Sequence, residues 1–142
     1  MENVKRKSFI NKQSKNEIPK LRRKLRIHFH EFIRLRDKDN GCISCVTGGV
    51  HNAGHFRSVG SSPQASMAFD EKNVNGQCVR CNYTLGGNPD GYKKGLVRKY
   101  GPKILEEIEI KKSMRQNPWT KFEYETMIKH YQEKVKEIKD EN

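Results

Sequence analysis

Cys42-Ile43-Ser44-Cys45 and, after an interval of 32 residues, Cys78-Val79-Arg80-Cys81-Asn82 decide how this chain folds. They hold its only four cysteines, and His55 lies in the interval between the two pairs. Four soft thiolates in two Cys-x-x-Cys knuckles suit a closed tetrahedral zinc site. Such an ion draws two distant knuckles together and fixes what lies between them. Two disulfides are the competing use of the same residues. The segment from Met1 to Asn16 is polar and basic, without the apolar run of a secretory leader. No stretch approaches the ~20 apolar residues of a membrane span. A cytoplasmic, reducing setting is therefore expected, and it favours metal over disulfide. Iron in a rubredoxin-like site is the remaining alternative.

Composition points the same way. Only 33% of the 142 residues are hydrophobic, and a core that small often needs a staple. A structural zinc contributes about 10–16 kcal/mol of apparent binding energy in small peptides. The net charge is +12 and unevenly spread. Residues 1–40 carry 13 Lys/Arg against 5 Asp/Glu, residues 41–100 carry 7 against 3, and residues 101–142 balance at 9 against 9. A basic arm and a basic zinc region ask for a polyanionic partner, most simply nucleic acid. No helix pairs an aromatic apolar face with a lysine-rich one, as a membrane-surface helix would, so no membrane partner is expected.

Four segments follow. Residues 1–17 read as a flexible basic tail, with Lys5, Arg6, Lys7, Lys12 and Lys15 lacking any apolar period. Residues 18–40 read as a basic amphipathic helix. Pro19 opens it, and Leu21, Leu25, Phe29, Phe32 and Ile33 make its apolar face. Arg22, Arg23 and Arg26 lie on its cationic face, and Asn40-Gly41 stops it. Residues 41–88 form the zinc module, with a hairpin turning at Thr47-Gly48-Gly49, a returning strand from Val50 to Arg57, and a short helix opened by Asn82. Residues 89–142 are helical. Asn88-Pro89 starts one helix, which Gly101-Pro102 stops, and Lys103 to Met114 makes another. Thr120 and Glu123 form a capping box for the last, with Trp119 and Tyr124 placed as its hydrophobic staple. Met127, Ile128, Tyr131, Val135 and Ile138 repeat at helical spacing, as a core stripe or a self-association seam. The expected class is α+β, a small zinc-stapled module between flanking helices.

His55 is the candidate for chemistry. Unperturbed histidine titrates near pH 6.5, so at neutral pH it can accept a proton from water. The plain alternative is a structural strand histidine. Asn73 and Asn82 have equally plain readings, as caps of a turn and of a helix. Arg57 and Arg80 could hold phosphate oxygens bidentately. His28, His30 and His130 read as helix surface or packing residues, and His51 as a secondary candidate.

The order His55, then Asn73 five residues before a Cys-x-x-Cys, then Asn82 directly after it resembles the HNH nucleases of the ββα-metal class over about Gly41 to Leu85. Ala-Gly-His-Phe-Arg-Ser-Val-Gly at 53–60, Asn-Gly-Gln-Cys at 75–78 and Cys-Asn at 81–82 further resemble the NinG/Rap recombination nucleases of lambdoid phages, from about Arg22 to the C-terminus. The resemblance implies a metal-dependent endonuclease hydrolysing branched or double-stranded DNA, such as Holliday junctions and displacement loops, during phage recombination. It implies that His55 is the general base, that Asn73 steadies the histidine loop or joins the metal shell, and that Asn82 binds a catalytic Mg2+ or Mn2+. It also implies possible recombination-protein partners, and a homodimer would suit a two-fold junction. One departure stands out. The residue before the base is often an Asp or His that holds the metal, and here it is Gly54. His51, Asp70 or the substrate phosphate could supply the missing ligand. A non-catalytic zinc module that binds DNA or RNA is the alternative function, and an interaction protein that recruits partners through its last helix is a third.

Overall fold

The computed structural model describes residues 2–58, 64–114 and 116–142, with side chains from residue 17 onward. Residues 59–63, and the side chains of the basic tail, lie outside the described residues. In chain order the elements are α1 (Glu2–Asp37), β1 (Asn52–His55), α2 (Ala65–Ala68), β2 (Val74–Gln77), a π-turn (Arg80–Thr84), α3 (Pro89–Tyr100), α4 (Ile104–Ser113) and α5 (Lys121–Glu141). The helix expected to open at Pro19 instead runs through it. Lys, Arg, Glu and Gln on both sides are good helix formers, and the proline removes only one interior amide donor.

The chain divides into two compact units, Met1–Phe29 with Trp119–Asn142, and His30–Pro118. In the first, α5 opens on Thr120. Its Oγ1 accepts from the Glu123 amide at 3.2 Å, and its own amide donates to the Glu123 carboxylate at 2.6 Å. Trp119 packs 5.5 Å from Tyr124 across that cap. Tyr124, Ile128, Tyr131 and Val135 are buried, and Phe29 meets Tyr131 edge to face at 4.9 Å. The C-terminal stripe is thus core within this unit.

The second unit is built on a two-stranded antiparallel sheet with Asn52 opposite Gln77 and His55 opposite Val74. The hairpin expected within Gly41–Ala53 does not form. Its turn residues close the first knuckle instead, with the Val46 amide donating to Cys42 at 2.9 Å and the Cys42 amide to Gly48 at 2.8 Å. Sulfur ligation needs amides turned toward the thiols, and a straight strand turns them outward. Val46 takes a left-handed φ of 68° in this bend, uncommon for a β-branched residue.

Helix α3 starts where expected, at the Asn88 cap, and stops at Gly101 with φ 96°. It lies flush on the first knuckle. A Cβ on Gly91 would sit 2.4 Å from the Ser44 carbonyl oxygen, and one on Gly95 1.9 Å from that of Ile43. Tyr92 and Leu96 between them enter a core with Ile43, Met67, Ile104 and Ile108. No helix among the described residues is long and apolar enough to cross a membrane.

Candidate functional site

The four cysteines converge. All are free thiols, their sulfurs lie within 4.8 Å of one another, and Cys45 Sγ is 3.8 Å from Cys78 Sγ. A tetrahedral zinc at about 2.3 Å from each sulfur needs sulfurs about 3.8 Å apart. The donor set and its spacing therefore fit a structural zinc, and the disulfide reading is set aside. Amides already point at the sulfurs. The Gly48 amide donates to Cys45 at 3.3 Å, the Cys81 amide to Cys78 at 3.4 Å, and the Asn88 side chain to Cys81 at 3.5 Å. Gly48 is packed too tightly for a side chain, since a Cβ would fall 2.6 Å from that of Cys78. Without metal, burial pushes the Cys81 thiol up to about 12 although Asn88 donates to it. Burial opposes the shift at Cys45, but the Gly48 amide and the other thiols bring it down to about 7.

His55 ends β1, at the far end of the ladder from the second knuckle. Three ladder steps of about 3.3 Å each separate the two ends along the strands. Its Nε2 lies 3.1 Å from the Ala68 carbonyl oxygen. A carbonyl only accepts, so Nε2 carries the proton and Nδ1 is the basic nitrogen of the neutral ring. The His30 ring from α1 meets the His55 ring edge to face at 5.7 Å.

Asn73 pins the chain that leaves His55. Its Oδ1 accepts from the Arg57 amide at 2.9 Å, and its Nδ2 donates to the carbonyls of Arg57 at 3.1 Å and Met67 at 3.0 Å. It is fully buried. Of the two roles the resemblance implies, this geometry fits loop steadying, and a place in a metal shell does not fit. Gly54 is as constrained, because a Cβ there would lie 1.8 Å from Gln77 Oε1. The position that carries a ligand in the common pattern is filled by the Gln77 amide. Tyr92 donates to the Gly54 carbonyl at 2.6 Å, and burial pushes its phenol up, so it stays a donor.

Asn82 lies on the π-turn, half-buried, and its side chain makes no hydrogen bond among the described residues. The helix expected to open at Asn82 is this single π-turn, begun two residues earlier. The other candidate ligands are engaged. His51 Nδ1 lies 3.1 Å from the Gly49 carbonyl oxygen. Asp70 accepts from the amides of Lys72 and Asn73 at 2.8 and 2.9 Å and pairs with Lys111. Among the described residues the four thiols are the one cluster of His, Cys, Asp or Glu side chains that could hold a metal. The side chains around His55 do not by themselves build a magnesium or manganese site.

The arginines differ in availability. Arg80 is exposed, as are Arg23 and Arg26 in the other unit. Arg57 pairs with Glu109 and lies 4.8 Å from the Phe56 ring centroid. Arg22 donates to the Tyr124 hydroxyl at 3.3 Å over that ring, so it packs α1 against α5.

Two features escape a reading of the sequence. One is His30, which shares a helix face with buried Ile33 and Asp37 at spacings of three and four. The other is a buried polar clasp. Asp37, 2% exposed, takes Arg36 Nε at 2.7 Å, Lys99 Nζ at 2.9 Å and the Gly76 amide at 2.8 Å. Asn75 accepts from Arg36, Lys99 and the Tyr100 hydroxyl at 3.0–3.2 Å. Burial would raise the Asp37 carboxyl, but Arg36, the Gly76 amide and Lys99 together hold it below its usual range. The clasp ties the end of α1 to β2 and α3, and only folding brings its members together.

Among known proteins, residues 2–141 match the family described as Bacteriophage Lambda NinG protein. The protein ninG of Salmonella phage P22 is 38% identical over 111 residues, 77% of this chain and 53% of that protein. The protein ninG of Escherichia phage lambda is 36% identical over the same length, 77% of this chain and 52% of that protein. The chain spans about half the length of the curated relatives it matches. No solved structure matches it. With nearly every residue inside the family match, this chain belongs to the NinG family of bacteriophage proteins.

Proposed function

We infer that this chain is a DNA endonuclease whose general base is His55. One observation carries the reading: an imidazole fixed by the Ala68 carbonyl at the end of a two-stranded sheet, its exit loop clamped by a buried asparagine, with a tetrathiol site at the opposite end of the ladder. The His55, Asn73, Asn82 spacing is that of the HNH resemblance, and the antiparallel pair of β1 and β2 is consistent with it. In the proposed step His55 Nδ1 takes a proton from water. The water oxygen attacks phosphorus, the bond to the leaving oxygen breaks, and that oxygen takes a proton from solvent. Asn73 holds the loop through the step, and Arg80 and Arg57 hold phosphate oxygens, Arg57 after exchanging Glu109 for phosphate. A zinc held by Cys42, Cys45, Cys78 and Cys81 would staple the two knuckles and take no part in proton transfer. Magnesium or manganese neutralises charge in such chemistry when bound. Here it would draw its ligands mainly from phosphate and water, as magnesium commonly does, with Asn82 as the chain's own donor.

Preference for branched DNA rests on the resemblance to the NinG/Rap nucleases. The zinc-loaded chain, incubated with a four-way junction and Mg2+ or Mn2+, is expected to nick it, and His55→Ala to bind without nicking. Binding should weaken steeply with salt, as counterion release requires. The second reading is a non-catalytic zinc module that binds nucleic acid, favoured by the absent ligand at Gly54. Salt-sensitive binding with no nicking at any metal concentration supports it and ends the enzymatic reading.

A further inference from the structure

The second knuckle carries an exposed apolar step that nothing in the fold uses. Tyr83 is 71% exposed, Val79 51% and Leu85 42%. The ring and hydroxyl of Tyr83 meet no partner among the described residues. Val79 caps the π-turn in helical conformation, and Tyr83 follows four residues later, so the two stand on one face. Arg80, exposed, is the next residue round. What lies beneath is rigid. Cys78 and Cys81 are buried at 8% and 1% exposure, and the turn is closed by the Leu85 amide on the Arg80 carbonyl at 2.9 Å.

We propose that Tyr83, backed by Val79 and flanked by Arg80, is a stacking platform for one unpaired base of a DNA substrate. This rests on the DNA-binding reading above and is independent of whether the chain cleaves. The occupant is chosen by chemistry. A soluble protein gains little from a bare phenol ring on a metal-stiffened turn, whereas any base offers it a flat π-face, worth about 1–3 kcal/mol per base by alanine substitution in single-strand-binding proteins. An exposed guanidinium on the same turn suits a phosphate of the bound strand, and the whole zinc region is basic, with 7 Lys/Arg against 3 Asp/Glu in residues 41–100. π-turns of this kind recur at functional sites. A base in an intact duplex keeps both faces stacked, so the platform favours gaps, bulges and branch points over continuous duplex.

The test uses the full zinc-loaded chain without Mg2+ or Mn2+, so that only binding is read. Two oligonucleotides of one sequence are compared, an intact duplex and a duplex with a three-nucleotide gap carrying 2-aminopurine. Wild type should bind the gapped DNA more tightly and quench its 2-aminopurine. Tyr83→Ala should lose about ten-fold or more on gapped DNA and the quenching, with duplex affinity unchanged. Tyr83→Phe should keep both. At its exposed position Tyr83 bears no core load, so zinc content and circular dichroism should match wild type in both variants. Equal affinity of Tyr83→Ala and wild type for gapped DNA overturns the platform, as does an equal loss on both DNAs. Tight capture of a second copy of the chain, relieved by Tyr83→Ala, would also overturn it by naming a different occupant. No cleavage by wild type in a parallel Mg2+ reaction, with the gap preference intact, would sink the nuclease reading alone.

Discussion

At the scale of single residues, the candidate site is held by groups that have no freedom to change. Gly54 faces Gln77 Oε1 with no room for a methyl, so Gly54→Ala should cost about 1–3 kcal/mol by overpacking, seen as a lower midpoint in urea. Introducing the acidic ligand of the common pattern at this position would meet the same wall. Asn73→Ala would orphan the Arg57 amide and two carbonyls. It should destabilise by about 2–3 kcal/mol and depress nicking beyond what the loss of fold accounts for, read as rate per folded molecule. The sequence made the four-cysteine cluster legible because metal ligation leaves fixed spacings. It did not reveal the Gln77 amide against Gly54, since that contact crosses two strands whose register only the fold defines.

Among the elements, the end signals were the most readable. The Asn88 cap, the Gly101 stop and the Thr120–Glu123 box all lie where local chemistry puts them. Thr120→Ala removes one arm of that box and should lower stability by about 1 kcal/mol, measurable as a drop in the melting midpoint. From sequence the first knuckle reads as a hairpin, because Thr47-Gly48-Gly49 serves a strand turn and a sulfur-facing loop equally well. Only the demand of the thiols for amide donors decides between them. Gly91 and Gly95, a turn apart on α3, carried a signal for close helix approach that the pattern of apolar residues hides. The continuation of α1 through Pro19 shows the converse, a breaker overridden by the residues around it.

For the whole molecule, the metal and the buried clasp set the conditions for folding. Zinc binding should release protons, since burial keeps the Cys81 thiol protonated until metal binds. One zinc per chain is expected, and chelation should abolish the tertiary circular dichroism signal. Asp37 adds a pH dependence. Its carboxyl lies below its unfolded value of about 3.9. The stability it contributes is therefore full above that value and lost as pH falls through the depressed one. Asp37→Asn should remove that acid-side dependence and cost about 3–5 kcal/mol at pH 7, because it strands the charges of Arg36 and Lys99. No local pattern announces such a clasp, whose members are drawn from α1, β2 and α3. The most direct test of His55 as the base is chemical rescue. His55→Gly, zinc-loaded and still able to bind a four-way junction, should nick at least about a hundred-fold more slowly than wild type and recover part of that rate when imidazole is added. Undiminished nicking by His55→Gly, or a loss that imidazole leaves untouched, would contradict the account.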